Sequence, residues 1–389
     1  MVFVGIDVAK NKHDCFICNS QGVVLADVFT IDNTKTGFDF LLSKIRSCSE
    51  MGEKIKVGLE ATGHYSYNLL GFLLDNDFCP FVINPLHTNL YRKSLSLRKT
   101  KTDRIDAKAI ASLLMSDVSL KPYNQELYHN EELKSLSRYR FDKVKERSKL
   151  KASVSRLVNI LFPELEHLVS TIHTASVYAL LSEFPSAKDV STAHLTRLTN
   201  ILYSASYGRH NRDTAIHIRD VARDSVGTYF PAKALELRHT LKLIKILDEE
   251  VDEIELEIKR IMDKINSPIC SIPGISIITA AMIISEIGDF SNFSSPDKIL
   301  AFAGLSPSTY QSGQLSNAYS HMEKRGSKYL RYAIFNATQH VCVWVPDFSN
   351  YLEKKRAEGK HYYVAVSHAS RKLIRVMYAL ENKKESFKR

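Results

Sequence analysis

Apolar and polar positions alternate along the first 31 residues in three short runs. VFVGIDV (2–8), HDCFICN (13–19) and VVLADVFTI (23–31) are rich in β-branched and aromatic residues, with short polar turns between them. This pattern predicts three strands in an antiparallel meander. The period then changes. TGFDFLLSKIRSC (36–48) has helical apolar spacing, IKVGLEAT (55–62) reads as a strand and YNLLGFLLDN (67–76) as a helix. FVINP (81–85) reads as a short strand and DRIDAKAIASLLMSD (103–117) as a helix. Three strands followed by alternating helices and strands predict a ribonuclease-H-like α/β domain over residues 1–125.

Beyond this point the pattern is helical. Leu150, Val154, Leu157 and Leu161 repeat at helical spacing within 128–162. Leu237, Leu241, Ile244, Leu247, Val251, Ile254, Ile258, Ile261 and Ile265 step by threes and fours through 232–266. That is a coiled-coil seam, on a helix about 50 Å long at the α-helical rise. Its partner is the 130–162 helix, the same helix of a second subunit, or both. Residues 163–231 carry little period and read as helical insertions and loops, so 126–266 forms a helical, coiled-coil region. In SPICSIPGISIITAAMIISEIGDF (267–290) a Pro273-Gly274 turn precedes an apolar helix. Such a turn either presents N–H groups to phosphate, in the manner of a helix-hairpin-helix, or simply joins two helices. A polar, Ser- and Gly-rich stretch (304–338) then becomes helical again, within a C-terminal domain of 267–389. The fold class is α/β plus all-α.

Charge alters this picture. Fifty-three Lys and Arg against 43 Asp and Glu give a formal net charge of +10, which suits a polyanionic partner. Within 138–156, eight bases (Arg138, Arg140, Lys143, Lys145, Arg147, Lys149, Lys151, Arg156) meet only Asp142 and Glu146. One side of this helix could lie along phosphates; a solvated helix face is the bland alternative. The six cysteines are sparse, and Cys15 and Cys18 fall on opposite faces of a strand, so reduced structural thiols are expected. The N-terminus lacks the build of a signal peptide, and no stretch approaches a membrane span. A cytoplasmic protein is expected.

The basic stretch RKTKTDRIDAKAIA (98–111) contains two acids, Asp103 and Asp106, among Arg98, Lys99, Lys101, Arg104 and Lys108. Carboxylates three apart share a helix face and repel unless a cation lies between them. Alone, Asp103 reads more simply as a helix cap. Two further acids change the balance. Asp7 interrupts the apolar run of the first strand, and Glu60 ends the fourth. A carboxylate within an apolar strand is costly unless it is paired or metal-bound. If those strands are neighbours and the later helix lies over them, four carboxylates converge on a site suited to Mg²⁺ and phosphodiester chemistry.

GIDVAK (5–10), GLEATGHY (58–65) and KTDRIDAKAIA (101–111) resemble the motifs of the DEDD-type transposases of bacterial insertion sequences, the insertion-sequence-110 type, whose relatives include the Piv-type DNA invertases. IPGISIITAAMIISEIGDF (272–290), KILAFAGLSPSTYQSGQ (298–314) and KRGSKYLRYAIFNA (324–337) resemble the family's C-terminal domain. The resemblance implies a RuvC-like N-terminal domain with catalytic, metal-binding Asp7, Glu60, Asp103 and Asp106. It implies a serine nucleophile in STYQSGQLS (308–316), best matched by Ser312, with Ser308 and Ser316 as fallbacks. It further implies DNA substrates, a structured guide RNA, and a dimer or tetramer whose active site combines two protomers. Arg98, Lys99, Lys101, Arg104, Lys143, Lys145 and Lys149 are candidate nucleic-acid contacts. Lys324, Arg325, Lys328 and Arg331, read at helical spacing, complete that set. His64 and Tyr65 could touch the metal site or substrate.

A RuvC-like junction nuclease would use the same acids but would need neither the serine segment nor the second domain. A non-enzymatic nucleic-acid binder fits poorly with four intact acids. A sugar kinase of the actin-like class would need Gly-rich phosphate loops, and the 15 glycines form no GxG cluster.

Overall fold

The computed structural model describes the chain apart from residues 51, 61–62, 84, 96–102, 117–119, 121, 124, 307–310, 313–314, 317–321 and 389. The side chains of 63–64, 86, 92–93, 95, 103–104, 125–130, 311–312 and 315–316 also lie outside the description. The chain divides into two compact units, Met1–Asn130 and Glu131–Arg389.

The first unit is a five-stranded mixed sheet with helices on its faces. Its strands are β1 (Val2–Val8), β2 (Lys12–Asn19), β3 (Val24–Asp32), β4 (Ile55–Glu60) and β5 (Phe81–Ile83). The order is β3-β2-β1-β4-β5, with β1–β2 and β2–β3 antiparallel and β1–β4 and β4–β5 parallel. The helices are α1 (Lys35–Ser47), α2 (Tyr67–Asp75), α3 (Pro85–Leu95) and α4 (Asp103–Ser116). The predicted meander and the alternation after it are therefore present. Helix α3 was not anticipated, because LHTNLYRKSL has no continuous apolar stripe.

Strand alternation sorts the core into two layers. Val2, Val4, Ile6 and Val8 pack with Cys15, Ile17, Val57 and Leu59 against α1 and α2. Phe3, Phe16, Cys18, Phe81 and Ile83 face the other way, against Ala107, Ile110, Ala111 and Leu114 of α4.

Among the described residues, the second unit is mainly helical, with a short ladder between two two-residue strands. Two long helices, α5 (Gln125–Leu161) and α11 (Pro231–Ile265), bracket the short helices α6 (Leu165–Leu168), α7 (Ala175–Glu183), α8 (Ala187–Thr192), α9 (Leu195–Ala205) and α10 (Arg212–Arg223). Then follow α12 (Ile277–Ile287), α13 (Pro296–Phe302), β6 (Gln311–Ser312), β7 (Leu315–Ser316), α14 (Lys328–Trp344), α15 (Pro346–Ala357) and α16 (Tyr362–Lys383). Helices α5 and α11 run antiparallel: Arg140 pairs with Glu255 at 2.6 Å, Lys143 with Glu250 at 2.7 Å, Arg147 with Asp248, and Arg156 with Glu236 at 2.6 Å. As the first partner's number rises the second's falls, which only antiparallel helices allow.

Seven of the nine seam positions of α11, from Leu237 to Ile258, are buried. They are covered from within the chain. Leu237, Leu241 and Ile244 join Val154, Leu157 and Leu161 in one core with the short helices, while Ile254 and Ile258 join a second core around α12, α14 and α16. Among the described residues, no helix is long and apolar enough to cross a membrane.

The Pro273-Gly274 turn packs against α14. A Cβ on Gly274, whose φ is +93°, would lie 2.8 Å from the backbone of His340. Close packing on a neighbouring helix thus accounts for this glycine.

Candidate functional site

The arrangement of acids begins with two glycines. Gly5 of β1 and Gly58 of β4 are partners in the parallel ladder, on the α4 face of the sheet. A Cβ on Gly5 would lie 2.2 Å from the Ala107 carbonyl oxygen and 2.6 Å from the Ala111 nitrogen. A Cβ on Gly58 would lie 2.6 Å from Leu114 Cδ1. The missing side chains let α4 sit directly on the two strands.

Two residues past each glycine, on the same face, comes an acid. Asp7 and Glu60 each follow the last paired residues of the ladder, Ile6 and Leu59, so they stand side by side on neighbouring strands. Helix α4 runs against the direction of β1: Ala107 lies at the level of Gly5, whereas Met115 Sδ lies 3.7 Å from Cys18 Sγ, at the level of Phe3. The first turn of α4, which starts at Asp103 and carries Asp106, therefore extends toward the Asp7 end. Asp106 is buried, and Asp7 and Glu60 are partly buried. The side chains of Asp103 and Arg104 lie outside the described residues, as do Arg98, Lys99 and Lys101 entirely. Lys108 braces the same helix, with Nζ 2.8 Å from Asp27 and 5.2 Å above the Phe16 ring.

A fifth acid went unnoticed in the sequence. Asp14 of β2 is the cross-strand partner of Asp7, is buried, and accepts a 2.5 Å hydrogen bond from the Thr30 hydroxyl. It shares its face with Phe16 and Cys18, a period-two signal that HDCFICN does contain. Like charges opposite each other across a ladder repel. A face with this many carboxylates favours a cation, and all-oxygen donors fit a hard divalent ion such as Mg²⁺. Among the described residues, no three His, Cys, Asp or Glu side chains are grouped closely enough to hold a metal ion by themselves. The donor chemistry fits the group, and Asp103 is the one proposed ligand whose side chain lies outside the described set.

In the second unit, Ser312 belongs to β6 and pairs with Leu315 of β7, its side chain lying outside the described residues. The two ends of this serine-bearing segment are pinned together. Glu323 N donates to Ser306 O at 3.1 Å, Lys324 N to Gly304 O at 3.2 Å and Ser327 N to Phe302 O at 3.3 Å. Arg331 Nη1 donates to Ala303 O at 2.9 Å. Gly304 and Gly326, at φ +67° and +108°, make the crossing; a Cβ on Gly326 would lie 2.1 Å from Phe302 O.

The basic helix predicted across Lys324, Arg325, Lys328 and Arg331 is corrected here. Lys324, at φ +54°, and Gly326 break the helical path, and Ser327 caps a helix that starts only at Lys328. Ser327 also holds the buried Glu286: its hydroxyl donates at 2.6 Å, and Arg138 donates from Nε at 2.5 Å and from Nη2 at 3.0 Å. Burial pushes the Glu286 carboxyl up, but the Arg138 and Ser327 bonds outweigh it and hold the group below the usual carboxylate range.

The basic run of α5 is largely spent within the protein. Arg138, Arg140, Lys143, Arg147 and Arg156 each meet an acid, whereas Lys145 and Lys149 stay exposed and make no ion pair among the described residues. Helical spacing shows bases on a helix; it does not show the acids on a second helix that meet them.

Two family models match the chain: "Transposase", of the DEDD IS110 group, over residues 4–163, and "Transposase IS116/IS110/IS902 family" over 266–353. The chain is 23% identical to the insertion element IS116 uncharacterized 44.8 kDa protein of Streptomyces clavuligerus, over 99% of this chain and 96% of that one. It is 24% identical to the pilin gene-inverting protein of Moraxella bovis, over 99% and 97%. It is 24% identical to the transposase for insertion sequence element IS1111A of Coxiella burnetii, over 85% and 76%.

Proposed function

We propose how this chain, which belongs to the IS110 family of transposases and is a DNA-recombining enzyme, cuts and rejoins its substrate. Asp7, Glu60 and Asp106, with Asp103, hold Mg²⁺ at the end of the sheet. The bound ions would lower the cost of charge at the scissile phosphate and at the leaving oxygen. The observation that carries this reading is the pair Gly5 and Gly58, which seats the acidic helix α4 on the two strands bearing Asp7 and Glu60.

Ser312 Oγ attacks the phosphorus of one strand. A serine–phosphate bond forms and the bond from phosphorus to the departing deoxyribose oxygen breaks. The serine proton leaves to a base and the deoxyribose oxygen gains one. The covalent link stores the phosphodiester, so a new strand's hydroxyl reverses the step and rejoins DNA without another energy source. The pinned ends of the serine-bearing segment support this reading, because they hold together the described residues on either side of it.

A structured RNA pairs with donor and target DNA, and base pairing carries the sequence choice. Exposed Lys145 and Lys149 support a role for α5 in holding such a backbone. Leu235, Leu243 and Ile246 stay exposed on α11, at 47%, 50% and 41%, and support a coiled-coil contact between subunits in a dimer or tetramer.

The test is capture of the covalent intermediate on a denaturing gel, with Mg²⁺, element-end DNA and the RNA of the flanking non-coding region. Wild type should give a protein–DNA adduct that Ser312→Ala abolishes and that Asp7→Ala with Asp106→Ala also abolishes. Cleavage without adduct that survives Ser312→Ala would overturn the serine assignment and favour a nuclease that uses water.

A further inference from the structure

We propose that the second unit carries a binding site for the phosphodiester backbone of a single-stranded nucleic acid, in the cavity enclosed by α5, α7 and α11. The cavity measures about 660 Å³. That lies within the range of pockets that take a small ligand, with room for a sugar-phosphate unit and its base rather than for a duplex.

Its charge is one-sided. Lys151 comes from α5, and Arg238, Lys242 and Lys245 come from successive turns of α11. The single acid on the wall, Asp248, is already engaged by Arg147. Among the described residues Lys151, Arg238 and Lys242 make no ion pair, and Lys245 reaches Glu249 only at 3.9 Å. This differs from the rest of the α5–α11 seam, where bases and acids neutralise each other in cross-helix pairs. Unpaired cations gathered in one concavity are the expected partners of phosphate.

The wall opposite the bases adds to this. Helix α7 begins at the cavity, with Thr174 and Ala175 in its lining. First-turn N–H groups carry partial positive charge toward whatever lies before them. Beside them, His173 Nδ1 lies 2.9 Å from the Tyr178 hydroxyl and its Nε2 lies 3.3 Å from Ser155 Oγ. Burial, with help from Lys151, pushes His173 below its ordinary value, so the imidazole stays neutral near pH 7 and keeps these two bonds. The Tyr178 ring thus stands fixed in the wall of a basic cleft, as a platform on which an unpaired base can stack.

This site deepens the reading of the chain as a nucleic-acid enzyme. It does not depend on the carboxylates, so binding can be measured without catalysis. The experiment uses the full chain carrying Asp7→Ala and Asp106→Ala, in the absence of Mg²⁺. Fluorescence anisotropy would be read with short single-stranded RNA, single-stranded DNA and duplex DNA over a range of salt. Lys151→Ala with Arg238→Ala and Lys242→Ala should lower the slope of log affinity against log salt by about 2, the value for three lost single-strand phosphate contacts. Ser182→Trp, which fills the cavity without changing charge, should weaken single-strand binding at least tenfold and leave duplex binding unchanged.

The comparison protein carries Lys259→Ala, Lys264→Ala and Lys354→Ala, three exposed bases outside the cavity and so the same charge removed, and should change little. A preference between the RNA and DNA strands identifies which of them supplies the backbone. Equal losses in the two triple variants, or no effect of Ser182→Trp, would overturn the proposal and leave only general electrostatic attraction. Cleavage without adduct in the Ser312 test, which would overturn the serine assignment, would leave this result untouched.

Discussion

Arg138→Met is the most direct test of how the serine-bearing segment is held. Glu286 has a side chain only 2% exposed and accepts hydrogen bonds from two Arg138 nitrogens and from Ser327. Removing Arg138 leaves a buried carboxylate with one of these three hydrogen bonds. Breaking a fully buried pair costs about 3–5 kcal/mol. The Arg138 side chain is itself 41% exposed. Water therefore reaches the vacated side, and about 2–3 kcal/mol is the expected loss. Adding Glu286→Leu removes the stranded charge, so the double variant should recover at least half of the loss.

Urea titrations give these numbers, followed by the fluorescence of Trp344, the only tryptophan and part of the second unit. Acid should act in the same direction. Glu286 is held below its ordinary value in the folded state. Its contribution is therefore present above about pH 4.3, the free value, and is lost as pH falls through the folded one. Arg138→Met should flatten that acid limb. A loss under about 0.5 kcal/mol in Arg138→Met, or simple additivity in the double variant, would refute the reasoning.

Gly5→Ala should destabilise the first unit by at least about 3 kcal/mol and abolish adduct formation, because the new methyl meets the backbone of α4. Gly58→Ala should cost clearly less, since Leu114 can swing its side chain away; equal urea midpoints for the two would contradict the close-approach argument. Chelating divalent metal should abolish the adduct, and Mg²⁺ should raise the melting temperature of wild type but not of Asp7→Ala with Asp106→Ala. Iodoacetamide should label exposed Cys79 in the native protein, while buried Cys15, whose thiol burial pushes up, and Cys342, pushed up to about 11, should react only on unfolding. Peptide mass spectrometry reads the difference.

The strands and long helices were legible because each carries its period in its own residues. Alternation in VFVGIDV fixes which side chains face α4, and the spacing of Leu237 to Ile265 fixes the buried stripe of α11. What failed to show was set by partners distant in sequence. Lys143 looks like a free base until Glu250 is placed beside it, more than 100 residues on. Arg331 shows its charge in the sequence, but not that its guanidinium also donates to the carbonyl of Ala303. Asp14 was hidden for a different reason: a strand with one acid reads as a polar edge unless its neighbour, Asp7, is already suspected of a role.

The acidic motifs themselves say more than their carboxylates do. In GID and GLE the glycine precedes the acid by two, so the pleat puts both on one face. The parallel register then sets Gly5 beside Gly58, leaving a flat patch on two neighbouring strands on which α4 rests. The acids lie one pleat further along, past the flat patch and toward the N-terminal turn of the helix. A side chain at Gly5 would meet the backbone of α4 and lift that turn away from Asp7 and Glu60 while leaving every acid in place. The spacing of glycine to acid is therefore a packing instruction, and the proposed metal chemistry depends on it as much as on the carboxylates.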